Sequence, residues 1–273
     1  MMERLFPPPV RHDSGAPVEV SGINYRYNGV PALRDLTFHI PVGSRVAVVG
    51  PNGAGKTTLF KVLAGALRPN SGSVRIFGHG PGGHVCIAYV PQRSLIDWAF
   101  PVTVREVVQM GRVRKVGFLR WPGEEDRRQV GRALERVGLT DLEDRQIGEL
   151  SGGQQQRVFL AQALAQEAEL ILLDEPLTGL DAPSQTAILQ VLDDLRASGT
   201  TVLVATHDLN LATERFDQVM LLNRRLIAFG PPAEVLTKEF LVRAYGGHVH
   251  ALSGEESVLV VTDTCCEGDE EGG

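Results

Sequence analysis

Residues Gly50 to Thr57 read G-P-N-G-A-G-K-T, with glycines, a lysine and a hydroxyl at fixed spacing. Glycines let consecutive backbone N–H groups curl round a polyphosphate, and a helix starting just behind them adds its positive dipole end. In such a loop Lys56 bonds the β- and γ-phosphates of a nucleotide, and the Thr57 hydroxyl ligates Mg²⁺. Gly50, Pro51, Asn52, Gly53, Ala54, Gly55, Lys56, Thr57 and the adjoining Thr58 are therefore the candidate phosphate contacts. Far downstream, Leu170 to Asp174 (L-I-L-L-D) is an apolar run ending in an acid, with Glu175-Pro176 behind it. An acid at the carboxyl end of a buried strand can hold the Mg²⁺ shell beside a phosphate loop. Glu175 then stands where it orients or deprotonates an attacking water. Between these two sites lies L-S-G-G-Q, Leu150 to Gln154, directly before a helical stretch. Ser151 suits a helix N-cap, and Ser151, Gly152, Gly153 and Gln154 together suit a second backbone anion site.

These groups need strands and helices to hold them. Arg45 to Val49 (R-V-A-V-V) is short, β-branched and apolar, as a strand buried on both faces is, and it ends at Gly50. Leu59, Val62 and Leu63 recur at helical spacing behind the loop. Val18 to Tyr27, Ala32 to Ile40, Ser73 to Phe77 and Ile87 to Val90 read as further strands, and Leu170 to Leu173 and Thr201 to Ala205 as buried parallel ones. Ala182 to Ala197 is the crossover helix between the last two. From Thr103 to about Ala165 the pattern is helical and more polar. The expected architecture is an α/β sheet core carrying a helical insertion, without internal repeats.

Composition bounds the partners. The 273 residues hold 27 Lys plus Arg and 33 Asp plus Glu, a formal charge of −6. Seven of the acids lie between Ser253 and Gly273, where no basic residue occurs, so residues 1–252 carry 27 basic against 26 acidic groups. A near-neutral body without a basic cluster argues against nucleic acid as a partner. Four of the basic residues are lysines, and Lys56 is one of them. No apolar run is long enough to cross a bilayer, the Pro-rich Met1 to Ser14 does not read as a secretory signal, and three cysteines make no disulfide framework. A reducing cytoplasm is the expected setting.

The set G-P-N-G-A-G-K-T, V-P-Q, L-S-G-G-Q, L-I-L-L-D-E-P, T-G-L-D and T-H-D, in this order, resembles the ATPase subunits of ABC transporters over roughly residues 18–240. The resemblance implies an α/β P-loop NTPase (RecA-like) core with an antiparallel β edge and an inserted α-helical signature subdomain at about 93–165. The ATPase domain is then 17–245, preceded by a flexible leader, 1–16, and followed by an acidic, disordered tail, 246–273. It also implies a head-to-tail homodimer in which ATP with Mg²⁺ lies between the phosphate loop of one subunit and the L-S-G-G-Q of the other. Tyr27 resembles the aromatic that stacks on adenine, with Tyr25 the competing choice. Gln92 resembles the glutamine that touches Mg²⁺ and links the site to the membrane partner. Asp181 resembles the acid that crosses the dimer interface, and His207 the histidine that contacts the γ-phosphate. Glu175, His207, Lys56 and Gln92 form the implied catalytic set, with Thr57, Gln92 and Asp174 about the Mg²⁺.

The stretch D-W-A-F-P-V-T-V, Asp97 to Val104, and the segment from Thr206 to Gly230 resemble the subgroup importing manganese, zinc or iron. That subgroup implies integral-membrane permease subunits, an extracytoplasmic metal-binding lipoprotein, and a peripheral location on the cytoplasmic face of the membrane. The segment near Trp98 and Phe100 is then expected to line the groove that receives the permease. An exporter ATPase would share every ATP motif. A soluble ABC protein would carry paired ATPase domains or a long coiled-coil insertion, and neither is present. His248, His250, Cys265 and Cys266 are metal-ligand types, but their spacing matches no zinc pattern. The tail reads as an acidic extension, and Cys86 as buried packing.

Overall fold

The computed structural model describes residues 18–81, 87–92, 98–116, 121–246, 249–252 and 258–261. The expected leader, Cys86, His248, Cys265 and Cys266 lie outside the described residues. Strand β1 (Val18–Tyr27) pairs antiparallel with β2 (Val30–Ile40) on one side and with β4 (Ser71–Ile76) on the other. The second sheet has the order β5-β6-β7-β3-β8-β9, where β3 is Arg45–Val49, β5 Ile87–Val90, β6 Leu170–Asp174, β7 Thr201–Ala205, β8 Gln218–Asn223 and β9 Arg225–Gly230. Its first five strands run parallel and β9 closes the edge antiparallel to β8.

The central strands are apolar throughout because both faces are covered. In β3, Val46 and Val48 join the core shared with the antiparallel sheet and with α1 (Lys56–Leu63). Ala47 and Val49 join the core on the opposite face. In β6, Leu170 and Leu172 divide from Ile171 and Leu173 in the same way, the two-residue period of a strand. The second core takes in α2 (Val104–Met110), α4 (Glu124–Arg136), α5 (Gly152–Ala165) and α6 (Ala182–Ala197). The short α3 (Val113–Val116) follows α2, so the helical insertion is as expected. Near the end of the chain come α7 (Leu209–Arg215), α8 (Pro232–Val235) and α9 (Lys238–Tyr245).

Two expectations change. The sequence reading draws no strand from Gln218 to Gly230, yet β8 lies beside β3 and its Val219, Met220, Leu221 and Leu222 are fully buried. Its V-M-L-L run is as apolar as those of β3 and β6, the pattern of a strand buried on both faces. The tail expected to lack regular structure contains an antiparallel pair, β10 (Val249–Leu252) with β11 (Val258–Val261). Strand β11 is a β-branched run, V-L-V-V, of the kind that favours a strand even within an acidic segment, whereas β10 reads V-H-A-L.

Candidate active site

Strand β3 delivers the chain to the glycine loop, and packing dictates both fixed glycines. A Cβ on Gly50 would collide with the carbonyl oxygen of Leu222 in β8. Gly55 has φ 98°, and a Cβ there would lie 2.6 Å from the Ala32 carbonyl oxygen. Helix α1 then starts with no acidic residue in its first turn, so its positive end is left for an anion. Lys56 is buried, its Nζ donating to the carbonyl oxygens of Gly50 at 2.6 Å and Pro51 at 3.2 Å. The loop forms one wall of a cavity of about 470 Å³. Asn52 to Thr58 line it, with Gln92 and Glu175 at one end. Tyr27 stands at its edge, 44% exposed, with Val30 and Pro31 beside it.

Tyr25, the competing aromatic, packs edge-on against Tyr27 at 4.8 Å and leans on the core between the sheets. Tyr25 is not among the cavity's lining residues, and the β1–β2 ladder shifts register between Tyr25 and Arg26. Arg224 also lines the cavity, and sequence reasoning missed it. Its amide donates to the Ala54 carbonyl at 2.7 Å and its own carbonyl accepts from Arg34 N–H at 2.6 Å. The β8–β9 turn thereby buttresses the loop. The only local signal was a polar N-R-R between two apolar runs.

The acidic pair sits at the carboxyl end of β6, Asp174 as its last residue and Glu175 directly behind it. Asp174 pairs with Ala205 of β7 and is 2% exposed. Burial pushes its carboxyl upward and the Glu175 charge adds to that. The Thr57 hydroxyl, the Lys56 charge and Tyr89 pull it back. Tyr89 donates to Asp174 Oδ2 at 3.4 Å, and burial followed by this acid drives the phenol well above its ordinary value. Tyr89 is a second residue the sequence reading missed. A carboxylate held in burial against its own desolvation is poised to gain from a cation.

Glu175 adopts φ 51°, left-handed backbone that a side-chain-bearing residue seldom takes. Its amide donates to Ala205 O at 3.0 Å. The carboxylate Oε2 then gathers three groups: Thr178 Oγ1 at 3.2 Å, Gln92 Nε2 at 3.5 Å and His207 Nδ1 at 3.9 Å. Strained backbone at such a cluster is the pattern of a functional site. His207 follows β7 by two residues and is 60% exposed at its side chain, and it is not among the cavity's lining residues.

Ser151, Gly152, Gly153, Gln154 and Asp181 are not among the cavity's lining residues. Ser151 caps α5 by accepting from Gln154 N–H at 3.3 Å, while the Gln154 side chain accepts from Ser151 N–H at 2.9 Å. Helix α5, like α1, has no acid in its first turn. Asp181, the N-cap of α6, lies beside it: a Cβ on Gly153 would overlap Ser184 and come within 3.5 Å of Asp181 Oδ1. The chain therefore carries two separate glycine-flanked helix starts with no acid in the first turn. Trp98, expected near a groove, packs edge-on against Phe159 at 5.5 Å, whereas Phe100 is exposed. Phe159 reaches Trp98 from α5, so this aromatic is claimed by the core of the helical insertion.

The ABC transporter family model matches residues 33–178. The manganese transport system ATP-binding protein MntB of Halalkalibacterium halodurans is 44% identical over 245 residues, covering 89% of this chain and 98% of the relative. The zinc transport system ATP-binding protein TroB of Treponema pallidum is 47% identical over 233 residues, covering 85% and 88%. Among solved structures, the dimeric post-hydrolysis state of the ATP-binding cassette MJ0796 bound to ADP and Pi superposes with a TM-score of 0.69 at 27% identity, covering 79% of this chain and 98% of that one. A phosphate loop, a buried acid at the end of β6 and a strained glutamate directly behind it thus stand in a chain that belongs to the ABC transporter family, as one of its ATPase subunits.

Proposed function

We propose that this chain energises the import of a divalent transition metal ion, manganese, zinc or iron, through a separate membrane permease, working as a homodimer on the cytoplasmic face of the membrane. The observation that carries the reading is the division of anion sites within one chain. The Lys56 loop meets Glu175 in a single cavity, while Ser151 lies outside its lining. Two copies placed head to tail use both sites, each nucleotide touching the loop of one copy and Ser151 of the other. The relatives named for manganese and zinc transport support the choice of cargo. An extracytoplasmic metal-binding lipoprotein would deliver the ion.

The residues fit Mg²⁺. Asp174 offers a buried carboxylate already bonded to the Thr57 hydroxyl, a hard-oxygen set of the kind this ion prefers. Thr57, Asp174 and the Gln92 amide oxygen would hold it. Bound there, it supplies neutralising charge to the phosphates. Lys56 and the start of α1 hold the β- and γ-phosphates, and Tyr27 stacks on the base. Glu175 takes a proton from the attacking water, and His207 and the partner's signature serine steady the charge on the transferred phosphoryl group. Asp181 sits at the seam between copies. Phe100, Met110, Val113 and Trp121 are large exposed apolar side chains on the helical insertion, and such groups suit contact with the permease. Among the described residues no helix is long and apolar enough to cross a membrane, which leaves translocation to that permease. Uptake of Mn²⁺, Zn²⁺ and Fe²⁺ into vesicles holding the complex tests the reading. ATP-dependent accumulation of one of them is expected, and hydrolysis without uptake of any would overturn it.

A further inference from the structure

Four residues, 166–169, separate the helix that begins beside Ser151 from the strand that ends at Asp174. Arg112, 5% exposed, is clamped onto this joint. Its Nη1 donates to the Ala165 carbonyl at 2.9 Å and to Glu167 Oε2 at 2.5 Å, and its Nε donates to Asp126 Oδ1 at 3.0 Å. Lys115 Nζ reaches the same Glu167 oxygen at 2.6 Å. Glu167 itself bends the chain at φ 52°. Gln166 Nε2 donates to the carbonyl of Ile87, the first residue of β5, at 2.7 Å. One residue before Arg112, Gly111 lies so close to α5 that a Cβ would strike the Gln162 carbonyl. A single guanidinium thus ties the end of α2, the first turn of α4, the end of α5 and the joint together. Its rigid fork of donors suits this arrangement, and a lysine's single ammonium does not.

Buried ion pairs add little net stability over apolar packing, so this one is better understood by what it holds in place. We propose that Arg112 is a positioning residue that stiffens the joint between α5 and β6, so that displacement at Ser151 is transmitted to Asp174 and Glu175. This rests on the proposed dimer, in which Ser151 and Glu175 of one chain serve different nucleotides. Arg112 then couples the two ATP sites. Helix α5 has 14 residues. At 1.5 Å per residue it is about 21 Å long, so a tilt of about 5° at the joint moves Ser151 by about 2 Å. Misplacement of about 1 Å at a reacting centre can cost about a hundredfold in rate.

The test is the ATP dependence of hydrolysis by the full-length chain and by Arg112→Met, Arg112→Lys and Glu167→Gln, alongside ATP binding to each. The parent is expected to hydrolyse with a Hill coefficient well above 1. Arg112→Met and Arg112→Lys should bind ATP within about twofold of the parent, lose about tenfold in kcat, and fall to a Hill coefficient near 1. Glu167→Gln keeps the Asp126 and Ala165 bonds and should move the same way by less. It decides the matter if the arginine variants do not fold. A structural role alone would lower the unfolding midpoint and leave the Hill coefficient of folded protein unchanged, and that result overturns the inference. A cooperative parent with equally cooperative variants refutes only Arg112. A parent that is monomeric with ATP and non-cooperative refutes the shared sites as well.

Discussion

Glu175 carries two separable properties, a carboxylate at the cavity and a backbone held at φ 51°. The left-handed conformation costs a residue with a side chain about 1–2 kcal/mol. The hydrogen bond from its amide to Ala205 anchors the residue in that conformation at the end of β6. Glu175→Gln keeps the Cβ and the shape, so its unfolding free energy should stay within about 0.5 kcal/mol of the parent. Glu175→Gly relieves the strain but adds about 0.4–1 kcal/mol of unfolded-chain entropy, for a net gain of about 0.5–1 kcal/mol. Both remove the base that directs the water, a loss of about 10²–10⁴ in kcat. That corresponds to about 3–5 kcal/mol on the barrier. Burial, and after it the Glu175 charge, raises the Asp174 carboxyl. Neutralising Glu175 therefore eases ionisation of Asp174, and Mg-ATP should bind more tightly to both variants. Phosphate release, equilibrium ATP binding and urea unfolding of the three proteins give the answer. A glycine variant less stable than the glutamine one would refute the strain argument, and hydrolysis within tenfold of the parent would refute the role of the carboxylate.

Gly153→Ala drives a methyl into Ser184 and should cost about 1–3 kcal/mol in urea unfolding. Adding Ser184→Gly should restore most of it, whereas Ser184→Ala should not, because the Ser184 Cβ is itself in the way. Tyr27→Ala should weaken ATP binding about tenfold, the worth of one base stack. Tyr25→Ala should instead lower the unfolding midpoint more than it weakens ATP binding, since Tyr25 packs on the core. Burial favours a raised Glu167 carboxyl, but the Lys115 and Arg112 hydrogen bonds and charges overcome it and hold it below the usual carboxylate range. Its contribution to stability is therefore complete above the unfolded value of about 4.3 and disappears as pH falls through the lower folded value. Denaturation midpoints followed on the acid side should fall more gently in Glu167→Gln than in the parent, and parallel profiles would contradict this ion-pair account.

Much of the site was legible because its geometry is made within a few consecutive residues. The eight residues from Gly50 to Thr57 form a loop whose own amides and following helix make the anion site. Ser151 and Gln154 cap each other across three positions. Strands β3, β5 and β7 were evident as short apolar runs between glycines and prolines. Strand β8 was not drawn, although its V-M-L-L is equally apolar, and its place beside β3, far away in sequence, is a matter of tertiary pairing. Tyr89 and Arg224 were invisible for the same reason. One reaches Asp174 only through the pairing of β5 with β6, the other reaches Ala54 only because β8 lies against β3.

The sequence by itself determined the chemistry on offer: a phosphate loop, a paired acid and glutamate, a second capped glycine turn, and a neutral body with its acidity at the end. Tertiary structure decided which of these meet. The order of the parallel strands places Asp174 beside Ala205 and brings Gln92 and His207 to the Glu175 oxygen that Thr178 already holds locally, while Ser151 stays out of the cavity. It also set Tyr27 rather than Tyr25 at the cavity's edge and gathered Arg112, Lys115 and Glu167 at one joint. Hydrogen bonds spanning a few residues are encoded locally. Contacts between strands depend on which buried faces find each other, and only the folded chain settles that.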